Sequence, residues 1–226
     1  LDINLPGKNG IDVLRDIMKT SPTKVIMLSA YTRAGASATI SALELGAVDF
    51  IAKPSGEISL GLQKLKNEII DKIRLAANVD LHKYLAAFRA AGITKVEGER
   101  ITGVKKLVII GASTGGPKAI LNIIRDIPGD IKAAFLIVQH MPKGFTLSFA
   151  ERISWETGIK AKEAEEGDRV DSGRVFIAPA GSHLVLIKDN GGVKIKLTQD
   201  PPVNFVRPSI DVAMISAVDI FGKDII

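Results

Sequence analysis

The residues of this chain best suited to covalent chemistry are Gly111–Ala112–Ser113–Thr114–Gly115, a G-x-S-x-G segment. It lies between an apolar run, 106–110, and a helix pattern that starts at Pro117 and continues to Arg125. A serine at such a strand-to-helix turn projects its hydroxyl past the sheet edge, and its small neighbours let an ester approach. The amides that open the helix could stabilise a developing oxyanion. Serine alone is a weak nucleophile, so a base must lie within hydrogen-bond reach. His140 closes the next apolar run, 135–139, and is the candidate. The C-terminal ends of neighbouring parallel strands share one rim, so Ser113 and His140 should face one crevice. His183, just ahead of a hairpin strand, is the rival base, and His82 reads as solvated. A third member should orient the imidazole and stabilise its cation. Asp168 lies near a turn, Asp211 and Asp219 lie on a helix, and Asp224 is nearly terminal, so the acid is expected beyond Ile226. The same strand–loop–helix can also build a phosphate cradle or a plain tight turn. All three readings stay open on pattern alone, although a Walker lysine and a full G-x-G-x-x-G are missing.

The elements that must position these groups alternate in type. In the first half, Ile11, Leu14 and Met18 mark one helical face, 24–28 reads as a buried strand and 37–45 as a helix ended by Gly46. A strand follows at 48–52. Leu62, Leu65, Ile69 and Ile73 then recur at helical spacing. From 78 to 104 the pattern weakens into a linker, with a short helix at 81–88. The second half restarts with the serine strand and its helix. Strands follow at 135–139 and 174–178, then a hairpin of 184–188 and 193–197 around Asp189–Asn190–Gly191–Gly192, and a helix at 208–218. Alternation of this kind predicts parallel sheets with right-handed crossovers.

The 226 residues allow one large domain or two small ones. With 46% hydrophobic residues, globular cores are expected. No apolar run approaches the roughly 20 residues that span a bilayer, so membrane insertion is not expected. Zero cysteines exclude disulfides and thiol chemistry. The net charge of +5 is spread among acids, and two Tyr and one Trp make a poor base-stacking surface, so nucleic acid is not an expected partner. A cytoplasmic location fits these features. The chain starts inside a motif without Met and ends in a loop that enters a new strand, and it is read as a fragment at both ends.

Four motifs in the second half, KLVIIGASTGGP at 106–117, FLIVQHMPKGFT at 135–146, RVFIAPAGSHL at 174–184 and RPSIDV at 207–212, closely resemble the catalytic domain of the chemotaxis protein-glutamate methylesterases of the CheB type. The resemblance implies hydrolysis of glutamyl methyl esters on chemoreceptors, and deamidation of receptor glutamines, with Ser113 as nucleophile and His140 as general base. Thr114, Gly115, Gly116 and Arg207 would support the site, packing being an equal reading for Arg207. No cofactor is expected for catalysis. The first half resembles a response-regulator receiver through LDINLPGKNG at 1–10, MLSAYT at 27–32 and DFIAKPSG at 49–56. By that resemblance Asp2 is the phospho-acceptor, Ser29 and Lys53 are switch residues, and the Lys53–Pro54 peptide is cis. All three residues close strands of one parallel sheet and should meet at one rim. A carboxylate that accepts a phosphoryl group needs Mg²⁺ to offset charge, but the acidic pair that binds the ion follows a strand absent here.

The expected fold class is therefore α/β: a partial flavodoxin-like receiver at 1–77, a linker at 78–104, and a doubly wound, Rossmann-like methylesterase domain with a parallel sheet and a β-hairpin at 105–226, truncated at its C-terminus. The implied partners are methyl-accepting chemoreceptors as substrate and the histidine kinase of the chemotaxis pathway, with phosphorylation exposing the serine crevice. The alternative is a response regulator whose second domain binds a phosphate-bearing ligand through the loop at 111–116.

Overall fold

The computed structural model describes residues 1–30, 32–53, 61–81 and 104–226. The expected Lys53–Pro54 cis peptide, His82, most of the helix at 81–88 and most of the linker lie outside them. The chain divides into two compact units, Leu1–Gly92 and Ile93–Ile226, each taken by itself below.

In the first unit, β1 (Ile26–Ser29) and β2 (Asp49–Ala52) pair in parallel from Ile26↔Asp49 to Ser29↔Ala52. Residues 1–3 add a short third line on the other side of β1: Asp2 bridges Leu28, the Leu28 N–H donates to the Leu1 carbonyl at 2.7 Å, and Ile3 N–H donates back to Leu28 at 3.0 Å. Helix α1 (Gly10–Thr20) begins under the Asn9 side chain, which accepts from Ile11 N–H, and it buries Leu14 completely. A Cβ on Gly10 would sit 1.9 Å from the Asp2 carbonyl oxygen, so only glycine lets this helix start so close to the Asp2 strand. Helix α2 (Arg33–Glu44) is capped by Thr32, whose hydroxyl accepts from Gly35 N–H at 3.0 Å.

Helix α3 (Gly61–Ala77) corrects one expectation. Ile73, assigned to the inner face, is 54% exposed, while Ala76 is buried and Lys72 turns inward to the carboxylate of Asp49 at 2.8 Å. Asp49 is 3% exposed, and a buried charge needs its counter-ion more than the face needs a second isoleucine.

In the second unit, β3 (Lys106–Ala112), β4 (Ala133–Gln139), β5 (Lys160–Glu163) and β6 (Arg174–Ile177) form an all-parallel sheet in the order β3–β4–β6–β5. Every residue of β4 is buried, which explains its unbroken apolar run. Alternate residues serve opposite faces. Leu107, Leu136 and Phe176 pack with Ala213 and Ala217 of α6 (Ile210–Phe221) and with Leu184 and Ile195 of the antiparallel hairpin β7 (His183–Asp189)–β8 (Gly192–Thr198). On the other face lie Phe135, Ile137 and Val175, with the buried sides of α4 (Gly116–Arg125) and α5 (Phe145–Thr157). Helices therefore cover both faces. Ile225 pairs with Leu107 in parallel, and Ile226 exchanges backbone hydrogen bonds with Leu107 and Ile109, which extends the sheet beyond β3. Helix α5 and strand β5 had no place in the sequence reading, since the β5 sequence KAKE has no apolar run to betray it.

Candidate active site

Three glycines shape the serine turn, each for a different reason. A Cβ on Gly111 would come within 2.7 Å of the Ile210 side chain, so the first glycine lets α6 seat against β3. Gly115 has φ +74° with open space around it, so it supplies a backbone conformation that other residues resist. A Cβ on Gly116 would lie 2.0 Å from the Gln139 Oε1, so the third makes room for that side chain. Ser113 is exposed and has no positive φ, unlike the strained nucleophile of an α/β-hydrolase elbow.

His140 leaves β4 beside it. The last register pair of the two strands is Ala112↔Gln139, and His140 N–H donates to the Ala112 carbonyl at 3.1 Å. Ser113 and His140 therefore step off adjacent strands at the same C-terminal edge. Their side chains are not hydrogen-bonded to each other. Among the described residues the Ser113 hydroxyl has no hydrogen bond, while the half-buried imidazole places Nε2 3.1 Å from the Pro208 carbonyl. A carbonyl only accepts, so that contact puts the proton on Nε2 and the lone pair on Nδ1.

The rival His183 is 1% exposed and doubly engaged: Nδ1 accepts from Ser209 N–H at 3.1 Å, and Nε2 donates to the Pro201 carbonyl at 3.1 Å. Both nitrogens are occupied, which leaves no lone pair for a proton. Arg207 spends one nitrogen on the carbonyls of Gln199 and Asp200, both at 2.9 Å, and so braces the segment that leads to Pro208. Thr114 and Gly115 form the turn itself.

The acids fall where the sequence reading placed them. Asp168 is held by Lys162 and by Glu165 N–H, both at 2.8 Å, and Asp211 accepts from the Asn204 amide at 3.2 Å. Asp219 is exposed on α6, and Asp224 closes a 3₁₀ turn, Gly222–Asp224. Among the described residues no carboxylate is hydrogen-bonded to His140.

Reasoning from sequence missed two interior groups here. Gln139, 1% exposed, donates from Nε2 to the carbonyls of Ser113 (2.9 Å) and His140 (3.1 Å). Lys118, in the first turn of α4, is 6% exposed, and burial together with the nearby Arg125 pulls its ammonium down to about 8. The signal for Gln139 was a lone amide at the end of an otherwise apolar strand.

The first unit gathers its own set at a strand rim. The Lys53 ammonium contacts the Asp2 carboxylate directly, Lys53 N–H donates to the Ser29 carbonyl at 2.7 Å, and Asn4 N–H donates to Asp2 Oδ1 at 3.0 Å. The Lys53 hydrogen bond holds the Asp2 carboxyl below its usual range, against the opposing effect of partial burial. Ser29 is fully buried and donates to the Gly35 carbonyl at 3.0 Å. Among the described residues no group of three or more His, Asp or Glu could hold a metal ion. Asp2 with Lys53 against it is not by itself a Mg²⁺ site, so the residues present do not fit that ion. No helix among the described residues is long and apolar enough to cross a membrane.

Comparison with known proteins adds three findings. The profile of the CheB methylesterase family matches residues 108–226, and that of the response regulator receiver domain matches residues 1–64. Proteins named protein-glutamate methylesterase/protein-glutamine glutaminase from Pyrococcus horikoshii and Thermotoga maritima are 45% and 43% identical to this chain, covering 99% and 98% of it and 61% and 63% of themselves. The chain thus spans a little over three fifths of these relatives. The crystal structure of the Thermotoga maritima CheB methylesterase catalytic domain superposes with a TM-score of 0.52 at 40% identity, over 55% of this chain and 65% of that one.

Proposed function

The chain belongs to the CheB methylesterase family, and from that premise we propose that it hydrolyses glutamyl methyl esters on chemoreceptors, and deamidates receptor glutamines, under the control of phosphorylation at Asp2. In this reading residues 1–77 are the receiver half, 78–104 the linker and 105–226 the catalytic half. The observation that carries it is the departure of Ser113 and His140 side by side from β3 and β4, tied by the hydrogen bond from His140 N–H to Ala112.

Ser113 Oγ attacks the ester carbonyl and His140 takes the hydroxyl proton as the new C–O bond forms. The charge gathers on the former carbonyl oxygen, where the Thr114 N–H of the serine turn can meet it. Collapse breaks the bond to the methoxy oxygen, the proton held by His140 passes to it, and methanol leaves. Water then attacks the acyl-enzyme with His140 again as base, which frees the glutamate and restores Ser113. Deamidation follows the same course with ammonia as the leaving group. A carboxylate from chain following Ile226 would complete the triad. The line formed by Ile225 and Ile226 runs parallel to β3, so a continuation would surface at the serine rim. Receivers in general take their phosphoryl group with Mg²⁺, and the ligands for it would come from outside the residues described. The receptor substrates, the partner kinase and a cytoplasmic location are carried by the family resemblance.

A fluorophosphonate probe on the full-length protein tests this reading. Labelling at Ser113 that disappears in Ser113→Ala supports it. A protein that resists the probe yet binds nucleotides favours a phosphate cradle at 111–116 instead.

A further inference from the structure

Gln139 is almost wholly buried at the end of the central strand, where apolar side chains are the rule. Among the described residues its carboxamide nitrogen serves two acceptors, the carbonyls of Ser113 and His140. Its Oε1 is buried and receives no hydrogen bond among the described residues, an arrangement costly to stability unless it does something else. The space around it is reserved: a Cβ at Gly116 would overlap Oε1 at 2.0 Å. The Ser113 carbonyl also accepts from Gly116 N–H at 2.9 Å, so it is held from two sides.

We propose that Gln139 is a positioning residue, one carboxamide that sets the two peptide planes following the nucleophile and the base. A peptide is planar and trans, so a carbonyl turned inward to Gln139 turns the N–H on its other side outward. Holding the Ser113 carbonyl therefore aims the Thr114 N–H away from the interior, to the side on which an ester oxygen would collect charge. Holding the His140 carbonyl ties the chain after the base to the same anchor. Gln139 touches no reacting atom, and its effect passes through the backbone of the two residues that do. The inference rests on the reading of Ser113 and His140 given above.

The test compares Gln139→Leu and Gln139→Glu in the full-length protein, by kcat and KM for methanol release from a methylated chemoreceptor peptide and by fluorophosphonate labelling across pH. Leucine removes both donors, and kcat should fall about 100-fold with KM within about threefold, since the loss is one of orientation. A carboxyl facing two carbonyls is kept protonated and still donates once, so Gln139→Glu should lie between leucine and native. Its rate relative to the native protein should fall as pH rises and the introduced carboxyl ionises. A mere packing role predicts the reverse order, because leucine suits an apolar strand better than a carboxyl. Leucine as active as glutamate, or a glutamate profile parallel to the native one, overturns the proposal. If the leucine variant fails to fold, the glutamate profile decides alone. Labelling that survives Ser113→Ala would instead defeat the reading of the site itself, before any Gln139 variant is compared.

Discussion

The two strand rims of this chain hold their functional groups by opposite means. In the first unit Asp2 and Lys53 meet as ions, and Asp49 with Lys72 repeats the device deeper in the same sheet. In the second unit the Ser113 and His140 side chains are not hydrogen-bonded to each other. Neutral groups around them do the holding: the Gln139 amide, the Pro208 carbonyl and glycines that let backbone approach backbone. The roles proposed above for each rim would account for the difference. A phosphoryl acceptor must be an anion, so a cation close by is part of its task. A serine nucleophile must stay mobile and uncharged until its proton leaves, so its surroundings fix the frame and leave the hydroxyl free.

The contrast can be broken or sharpened by four measurements. Ser113→Ala should give the largest effect, a loss of labelling and ester hydrolysis of about 10³-fold or more, because attack has no substitute. Stability should move by less than about 0.5 kcal/mol, since the hydroxyl makes no hydrogen bond among the described residues. A large drop in melting temperature would show that the serine is part of the frame after all.

Lys72→Met comes next. Among the described residues it leaves the buried Asp49 carboxylate with the Phe50 N–H, 2.7 Å from Oδ1, as its hydrogen-bond donor. Urea unfolding should show a cost of about 3 kcal/mol, the usual result of orphaning a buried charge. A neutral outcome would mean that the first unit does not depend on its ion pairs.

Lys118 places a cation in the interior of the second unit. Its folded pKa of about 8 lies below the ordinary lysine value of 10.5, so the unfolded chain binds more protons between those limits. Stability should therefore rise with pH through this window, by on the order of 3 kcal/mol relative to Lys118→Met. Parallel stability–pH curves for the two proteins would show that folding does not shift this ammonium.

Lys53→Met should cost little stability, under about 1 kcal/mol, because the pair is partly exposed. The depressed Asp2 pKa contributes stability above the ordinary carboxylate value of 3.8, which is lost as pH falls through the folded value. Lys53→Met should abolish that acid-side loss, and NMR titration of the Asp2 carboxyl should show its return toward 3.8. An unmoved Asp2 titration would show that Lys53 does not set it.

Much of this was legible in the residue order. Alternating apolar runs and helical faces marked nearly every strand and helix, because period and burial are written locally. The G-x-S-x-G turn and a histidine closing the next strand placed two candidate site residues on one rim, because parallel strands of a wound sheet end together. The elements that escaped were those with no apolar signature, such as the edge strand KAKE, or with a face set by a distant charge, as in α3, where Asp49 turns Lys72 inward and Ile73 outward.

By itself the sequence determined the fold class, the order of elements and the side chains able to do chemistry, all of which depend on residue type and short-range spacing. Only the tertiary structure decided which histidine has a free lone pair, since that turns on carbonyls at 201 and 208 far along the chain. It alone decided that Gly111 and Gly116 serve close approach and Gly115 backbone conformation, and that a buried amide joins the ends of two neighbouring strands. Hydrogen-bond partners and steric room belong to pairs of atoms brought together by folding, and no local pattern of residues encodes them.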